Sequence, residues 1–367
     1  MSKSSDAAPP SLRWLYKTML GSYYYSGVAR AHLWATKGAR NCVVLLYHGV
    51  SQCPGPRPSL SGNMFVPAEE FERQMRFLKE HFALMPLRIA VAHLEKGIPF
   101  PARSAVVTFD DGYQNIADHA FPVLQRFDIP FTFFVTTDFM DGRSGAWWDH
   151  LEAIVNRPTH GEFSLSLATK TETYDLGTIR DKRYLYRRGQ SIVLTCPSQQ
   201  GPLLDYLERE LGSPHAMDRD TSFMTWDVLK SLATSPLVEI GAHSVSHPNL
   251  ARIPMGSAKR EISGSKDVLE AALGQPVTSF AYPFGQQWTF SDETCALLKE
   301  SGFRCAVTGI EGKVSADVDP FRLYRVPVSG DDSWPIFISK VAGGSAALRS
   351  AWRRSQVSRR PNGKSIP

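Results

Sequence analysis

Six short runs, at 42–47, 104–109, 131–136, 238–242, 277–282 and 305–308, are built mainly from Val, Ile, Leu, Phe and Ala and lack the polar–apolar alternation of a half-exposed strand. Strands of this kind are covered on both faces, which requires a parallel sheet with crossover helices. The intervening segments supply them. In 67–82, Phe71, Met75, Leu78 and Phe82 share one helical face, proline opens the segment, and Glu69 and Glu70 stand where the helix dipole favours acid. Further helices are expected at 115–127, 225–233, 258–273 with Gly274 behind it, and 291–301 with Gly302 as its stop. Residues 156–220 break the rhythm. They contain Phe163, Leu165 and Leu167 in alternation, a basic run from Arg180 to Arg188 and a helix at 203–211, and read as an insertion that forms a wall or lid over the strand ends.

Composition excludes several classes. A chain of 367 residues that is 43% hydrophobic buries a large core, so it is not disordered as a whole. No uncharged apolar run reaches the roughly 18 residues of a membrane span. The cysteines Cys42, Cys53, Cys196, Cys295 and Cys305 are scattered without a Cys-x-x-Cys, which argues against a disulfide framework and a thiolate zinc site. The charge is uneven. Residues 1–40 carry six Lys/Arg against one Asp, and residues 340–367 carry seven Lys/Arg and no acid, so the body between them is acidic. Basic ends on an acidic body argue against nucleic acid and fit either peripheral contact with an anionic membrane or a solvated tail. The segment 12–35 spaces Leu12, Leu15, Tyr16, Met19, Leu20 and Tyr23 at a helical period, suited to packing on the protein or lying among lipid headgroups. The first 40 residues lack an apolar leader with a small-residue cleavage site, so the expected location is cytoplasmic, peripheral at the inner membrane face. Three regions follow: a basic aromatic helical extension (1–40), a main body (41–340) and a basic tail (341–367).

Two motifs carry chemistry, each placed just after an apolar run. Asp110 and Asp111 form an adjacent carboxylate pair that needs a metal or an arginine to neutralise it, although Asp-Asp-Gly is also an ordinary turn. His243 and His247, four apart, would point the same way in one helical turn and grip a cation, although isolated histidines are often structural. Two histidines with one carboxylate make a frequent facial ligand set for a divalent metal.

With these motifs the chain resembles the polysaccharide deacetylase family, the NodB-type carbohydrate esterases. The landmarks are Leu46-Tyr47-His48, Thr108 to Gly112, His243 to His247, Phe280-Ala281-Tyr282-Pro283-Phe284-Gly285 and Leu323 to Val328, spanning about residues 43–330. The resemblance implies an α/β fold, a distorted (β/α)7-type barrel, here with an inserted loop region and an extra N-terminal helix. It implies a hydrolase that removes an acetyl group from a sugar, with Asp111, His243 and His247 as metal ligands and Asp110 as catalytic base. Zinc is the first expectation for the metal, with cobalt, nickel or iron also accepted by such ligands. The backbone N–H of Phe284 is the expected oxyanion donor. Two departures stand out. The arginine that usually orients the base is replaced by Ala281, and Arg325 is the candidate substitute, with Arg322 second. No histidine follows His247, so His48 is the candidate general acid, its alternative being a structural hydrogen bond. Tyr282, Trp147, Trp148 and Asp149 are candidate substrate contacts, the tryptophans as a sugar platform or as plain core, and Asp331, Asp332 and Trp334 are weaker candidates. The expected partner is an acetylated saccharide, free or lipid-linked. Competing readings are a metal-dependent amidohydrolase for a non-sugar amide and a non-catalytic saccharide-binding barrel.

Overall fold

The computed structural model describes residues 10–35, 40–52, 59–60, 62–140, 145–158, 161–167, 170–213 and 221–344; most of the basic tail, residues 345–367, lies outside them, as does Cys53. Seven parallel strands close on themselves: β1 (Cys42–Tyr47), β2 (Ser104–Phe109), β3 (Phe131–Val135), β4 (Val238–Ala242), β5 (Ser279–Ala281), β6 (Cys305–Glu311) and β7 (Leu323–Pro327). Each pairs with the next, and β7 pairs back onto β1. The chain is therefore a distorted (β/α)7 barrel. The strand expected at 277–282 is shorter than read, and the one at 305–308 is longer, with a register shift between Val307 and Glu311.

Side-chain parity divides every strand but β4 between two cores. Val44, Val106, Phe134, Ala281, Val307 and Leu323 point inward and fill the barrel. The helix Leu87–Glu95 adds Leu87, Ala90 and Val91 to that inner core. Val43, Leu45, Val107, Phe133, Ile240 and Phe280 point outward into the larger core beneath the helices. The uniform apolarity of the strands reflects burial on both sides.

Register positions the functional loops. Tyr47 pairs with Phe109, and Val135 with Ala242, so His48, Asp110, Thr136 and His243 all leave from one rim of the barrel. Backbone bonds across that rim, Asp110 N–H to Tyr47 O at 3.0 Å and His243 N–H to Val135 O at 2.9 Å, fix the exits.

Within the irregular stretch, the strands Glu162–Leu167 and Lys170–Asp175 form an antiparallel hairpin, followed by the helices Ile179–Thr195 and Gln200–Leu211. With the helix Trp147–Val155 they share a separate apolar core around Trp148, Leu151, Leu185 and Leu207. At the other end of the chain, the helices Pro10–Tyr25 and Val28–Ala35 pack against the helix Trp334–Ala342.

Candidate active site

Thr108 and Asp110 continue the inward parity of Val106, so Asp110 projects into the top of the barrel. It meets Arg325, which points inward from β7. The guanidinium donates two parallel hydrogen bonds, Nη1 to Asp110 Oδ1 and Nη2 to Oδ2, each 2.7 Å long. Its Nε–H is spent on the Thr308 carbonyl at 2.7 Å, and Nη1 also reaches Thr108 Oγ1 at 3.2 Å, so the arginine cannot swing. Both partners are buried. Burial opposes ionisation of Asp110, but Arg325 and then His243 outweigh it and hold the carboxyl below the ordinary aspartate range. Arg322 lies elsewhere, paired with Asp292 on the surface.

Asp111 adopts φ 81°, and this left-handed backbone turns consecutive carboxylates in different directions. Its Oδ1 stands 3.5 Å from His243 Nε2 and 3.5 Å from His247 Nε2, and the two Nε2 atoms are 3.2 Å apart. The His243 Nδ1–H donates to the Ala281 carbonyl at 2.8 Å, which leaves its Nε2 a lone pair when the ring is neutral. Two imidazole nitrogens and a carboxylate oxygen thus form a triangle. Its sides match the about 3.3 Å edge of a tetrahedron with bonds of about 2.0 Å, and the donor set fits a divalent metal. Burial and the neighbouring His243 push His247 down to about 3, which keeps it neutral. Despite its burial Asp111 is held down to about 2, first by the hydrogen bond from His243 and then by the charge of His48.

The histidine pair does not sit on a helical turn, contrary to the expectation from its spacing. Residues 243–247 form a bent loop with positive φ at Ser244 (65°) and His247 (59°). Glu261, from the helix Met255–Leu273, holds it. Its Oε2 accepts from the backbone N–H of Val245 (2.9 Å) and Ser246 (2.8 Å), and its Oε1 accepts from Ser246 Oγ (2.7 Å). Ser244 Oγ accepts from His247 N–H at 3.0 Å. Of the six non-glycine residues with positive φ among those described, Asp111, Ser244, His247 and Phe284 all gather here. Strain concentrates where surrounding bonds over-determine the backbone.

These groups open into a cavity of about 320 Å³. His48, half-buried, lines it together with Asp110, Asp111, Phe284 and Arg325. Trp147 and Trp148 line it too. Trp148 packs 4.7 Å from the His247 ring, and its Nε1–H donates to Tyr113 Oη at 3.1 Å. Tyr113 in turn donates to Asp149 at 2.8 Å. Asp149, pushed up to about 8 by burial, is engaged behind the tryptophan and does not line the cavity, which corrects its reading as a substrate contact. Tyr282 is likewise corrected. Because Ala281 faces inward, Tyr282 faces outward, stacks on Phe290 at 4.2 Å and donates to the Phe321 carbonyl at 3.0 Å. Asp331, Asp332 and Trp334 are absent from the lining: Asn63 donates to Asp331 at 2.8 Å, Lys340 pairs with Asp332 at 2.6 Å, and Arg73 lies over the Trp334 ring.

Phe284 and Gly285 follow β5 with φ of 61° and 63°. A Cβ on Gly285 would stand 2.1 Å from the Gly309 nitrogen, so only glycine permits the 2.8 Å bond from Gly309 N–H to Gly285 O that seats this loop on β6. Glu261, Tyr113 and the helix residues Tyr186, Gln190 and Leu194 were not expected from sequence. The last three recur every fourth residue and present one stripe to the cavity.

The profile of the family described as polysaccharide deacetylase matches residues 97–164 and 207–306, segments that contain Asp110, Asp111, His243, His247 and Phe284. Over these segments the chain is similar to the polysaccharide deacetylase family. Its named relatives include N-deacetylases, hydrolases of carbon–nitrogen bonds. A poly-beta-1,6-N-acetyl-D-glucosamine N-deacetylase of Staphylococcus epidermidis is 25% identical over 270 residues, 73% of this chain and 70% of the relative. Among solved structures, the Streptococcus pyogenes deacetylase PplD in complex with acetate superposes with a TM-score of 0.55 at 18% identity, covering 82% of this chain and 98% of that one. A de-N-acetylase from Aggregatibacter actinomycetemcomitans gives 0.53 at 16% identity, covering 82% and 99%. These likenesses are to the fold. His48, Arg325 and the helix Ile179–Thr195 fall outside the segments matched by the family profile.

Proposed function

We propose that this protein is a polysaccharide deacetylase that removes N-acetyl groups from a saccharide containing N-acetylglucosamine, with a divalent metal, zinc first, held by Asp111, His243 and His247. The observation that carries the proposal is the triangle of ligand atoms beside a carboxylate, Asp110, that an arginine keeps ionised. The name of the Staphylococcus epidermidis relative supports the substrate class. A divalent metal in such a site acidifies water toward neutrality and polarises a carbonyl.

Every other task falls to the chain's own groups. Asp110, fixed by Arg325, receives the proton of the attacking water. The Phe284 N–H meets the developing oxyanion, and the ring of Phe284 with Trp147 and Trp148 excludes bulk water around the acetyl methyl. His48 gives a proton to the departing amine. Tyr186 and Gln190 face the sugar from the inserted helix. Acetate release from N-acetylglucosamine oligomers by the zinc-loaded protein is the test. Release from them, but not from a simple non-sugar acetamide, is expected, and the reverse preference would replace this reading with that of a general amidohydrolase.

Glu261→Ala probes the loop. With two backbone N–H groups released, His247 loses its fixed position, and metal affinity is expected to fall about 10- to 100-fold. Zinc titration by calorimetry measures this; an unchanged affinity would show that the loop holds itself.

A further inference from the structure

Side chains of the helix Pro10–Tyr25 seat it on the barrel. Tyr16 donates to the Glu311 carboxylate at 3.1 Å, Lys17 donates to the Asp331 carbonyl at 2.9 Å, and Leu20 is buried with its carbonyl accepting from Ser339 Oγ at 2.8 Å. The opposite side, Leu15, Thr18, Met19, Ser22 and Tyr25, continued by Ser26 and Val28, is exposed and carries no charge. Leu15, Met19, Tyr25 and Val28 are 42%, 41%, 78% and 47% exposed. The solvent face of a surface helix is ordinarily where charged residues collect, so an uncharged face with four large apolar side chains calls for an explanation.

Charge supplies one. In sequence, Lys3 and Arg13 precede this face and Arg30, Lys37 and Arg40 follow it, with a single acid, Asp6, in the first 40 residues. A second cationic segment starts beside it. After the helix Trp334–Ala342, Gly344 lies so close to Tyr23 that an added Cβ would stand 2.9 Å from the tyrosine ring. The residues beyond, 345–367, hold six Lys/Arg and no acid. An apolar helical face in a chain that is cationic in sequence at both ends is complementary to a surface that is negative outside and apolar beneath.

We infer that the helix Pro10–Tyr25 is an interfacial anchor that lies on an anionic phospholipid bilayer. Among the described residues no helix is long and apolar enough to cross a membrane, so the contact is with one leaflet. The anchor has a functional orientation. Glu311 ends β6 and Asp331 follows β7, at the rim where the cavity opens, so Tyr16 and Lys17 tie the anchor to that rim. Saccharide displayed at the bilayer surface is then delivered close to Asp110 and His48. The membrane contact stands independently of the proposed reaction, and only the delivery of saccharide rests on it.

The test is flotation of the full chain with vesicles of phosphatidylcholine, with and without phosphatidylglycerol. The chain is expected to float with the anionic vesicles only and to be released as salt rises. Leu15→Asp with Met19→Asp, on the exposed face, is expected to reduce binding roughly tenfold or more while acetate release from a soluble substrate persists. An independent variant, with Arg353, Arg354, Arg359 and Arg360 changed to Gln, is expected to weaken binding at low salt and flatten the salt dependence. Wild-type protein left behind by anionic vesicles, or unchanged flotation of both variants, overturns the inference. So does a shift of the Asp variant from dimer to monomer without loss of vesicle binding, which would assign the face to a second copy of the chain.

Discussion

Arg325→Met is expected to abolish most acetate release and to destabilise the protein. The substitution leaves Asp110 buried with its guanidinium gone, and removing one partner of a buried, doubly hydrogen-bonded pair costs about 3–5 kcal/mol. Activity falls further than stability because the base is no longer ionised or aimed; loss of a positioned general base costs about 10²–10⁴-fold. The pH profile separates the two effects. In the wild type the Asp110 carboxyl lies below the ordinary range, so the base is competent down to low pH. Without Arg325, burial raises it, and the acidic limb of kcat/KM moves to higher pH. The stability contribution has a matching sign. A depressed folded pKa contributes fully above the unfolded aspartate value and is lost as pH falls through the folded one, so the wild type's advantage over the variant shrinks in acid. Thermal unfolding and kcat/KM measured across pH check both. A variant with wild-type acid limb and stability would mean that Arg325 has no hold on the base.

Asp110→Asn and Asp111→Asn, at adjacent positions, are expected to fail in different ways. The Asp110 variant keeps the triangle of Asp111, His243 and His247 and binds metal, yet loses about 10²–10⁴-fold in kcat because no group accepts the proton of water. The Asp111 variant loses the metal itself. Metal content and single-turnover acetate release, measured on both proteins, distinguish a base from a ligand. Equal metal loss in the two variants would collapse the division of labour between them.

Much of this architecture is legible because burial on both faces leaves a simple trace. The six apolar runs coincide with barrel strands, and the residues just past their ends, His48, Asp110 and His243, leave from a common rim. Parity inside a strand explains why two of the expected site residues part company. Arg325 follows Leu323 by two and so points into the barrel toward Asp110, whereas Tyr282 follows the inward Ala281 by one and points out, although it stands in the same motif as Phe284. Spacing alone misread the histidine loop. Four residues suggest a helical turn, but positive φ at Ser244 and His247 and the carboxylate of Glu261 make a different bend, and a glutamate on an amphipathic helix gives no sign of this duty. The cavity wall was hidden for a related reason. Tyr186, Gln190 and Leu194 are mixed in polarity and lie within and just beyond a basic run, so their shared face emerges only once the helix Ile179–Thr195 is docked.

The most direct test is elemental analysis of the purified chain joined to acetate release, on wild type and His243→Ala side by side. One divalent ion per wild-type chain, with ion and activity both lost in the variant, is the outcome predicted for a shared site of Asp111, His243 and His247. A variant that retains a full complement of metal, or a wild type that releases acetate equally well after its metal has been stripped by a chelator, would contradict the account.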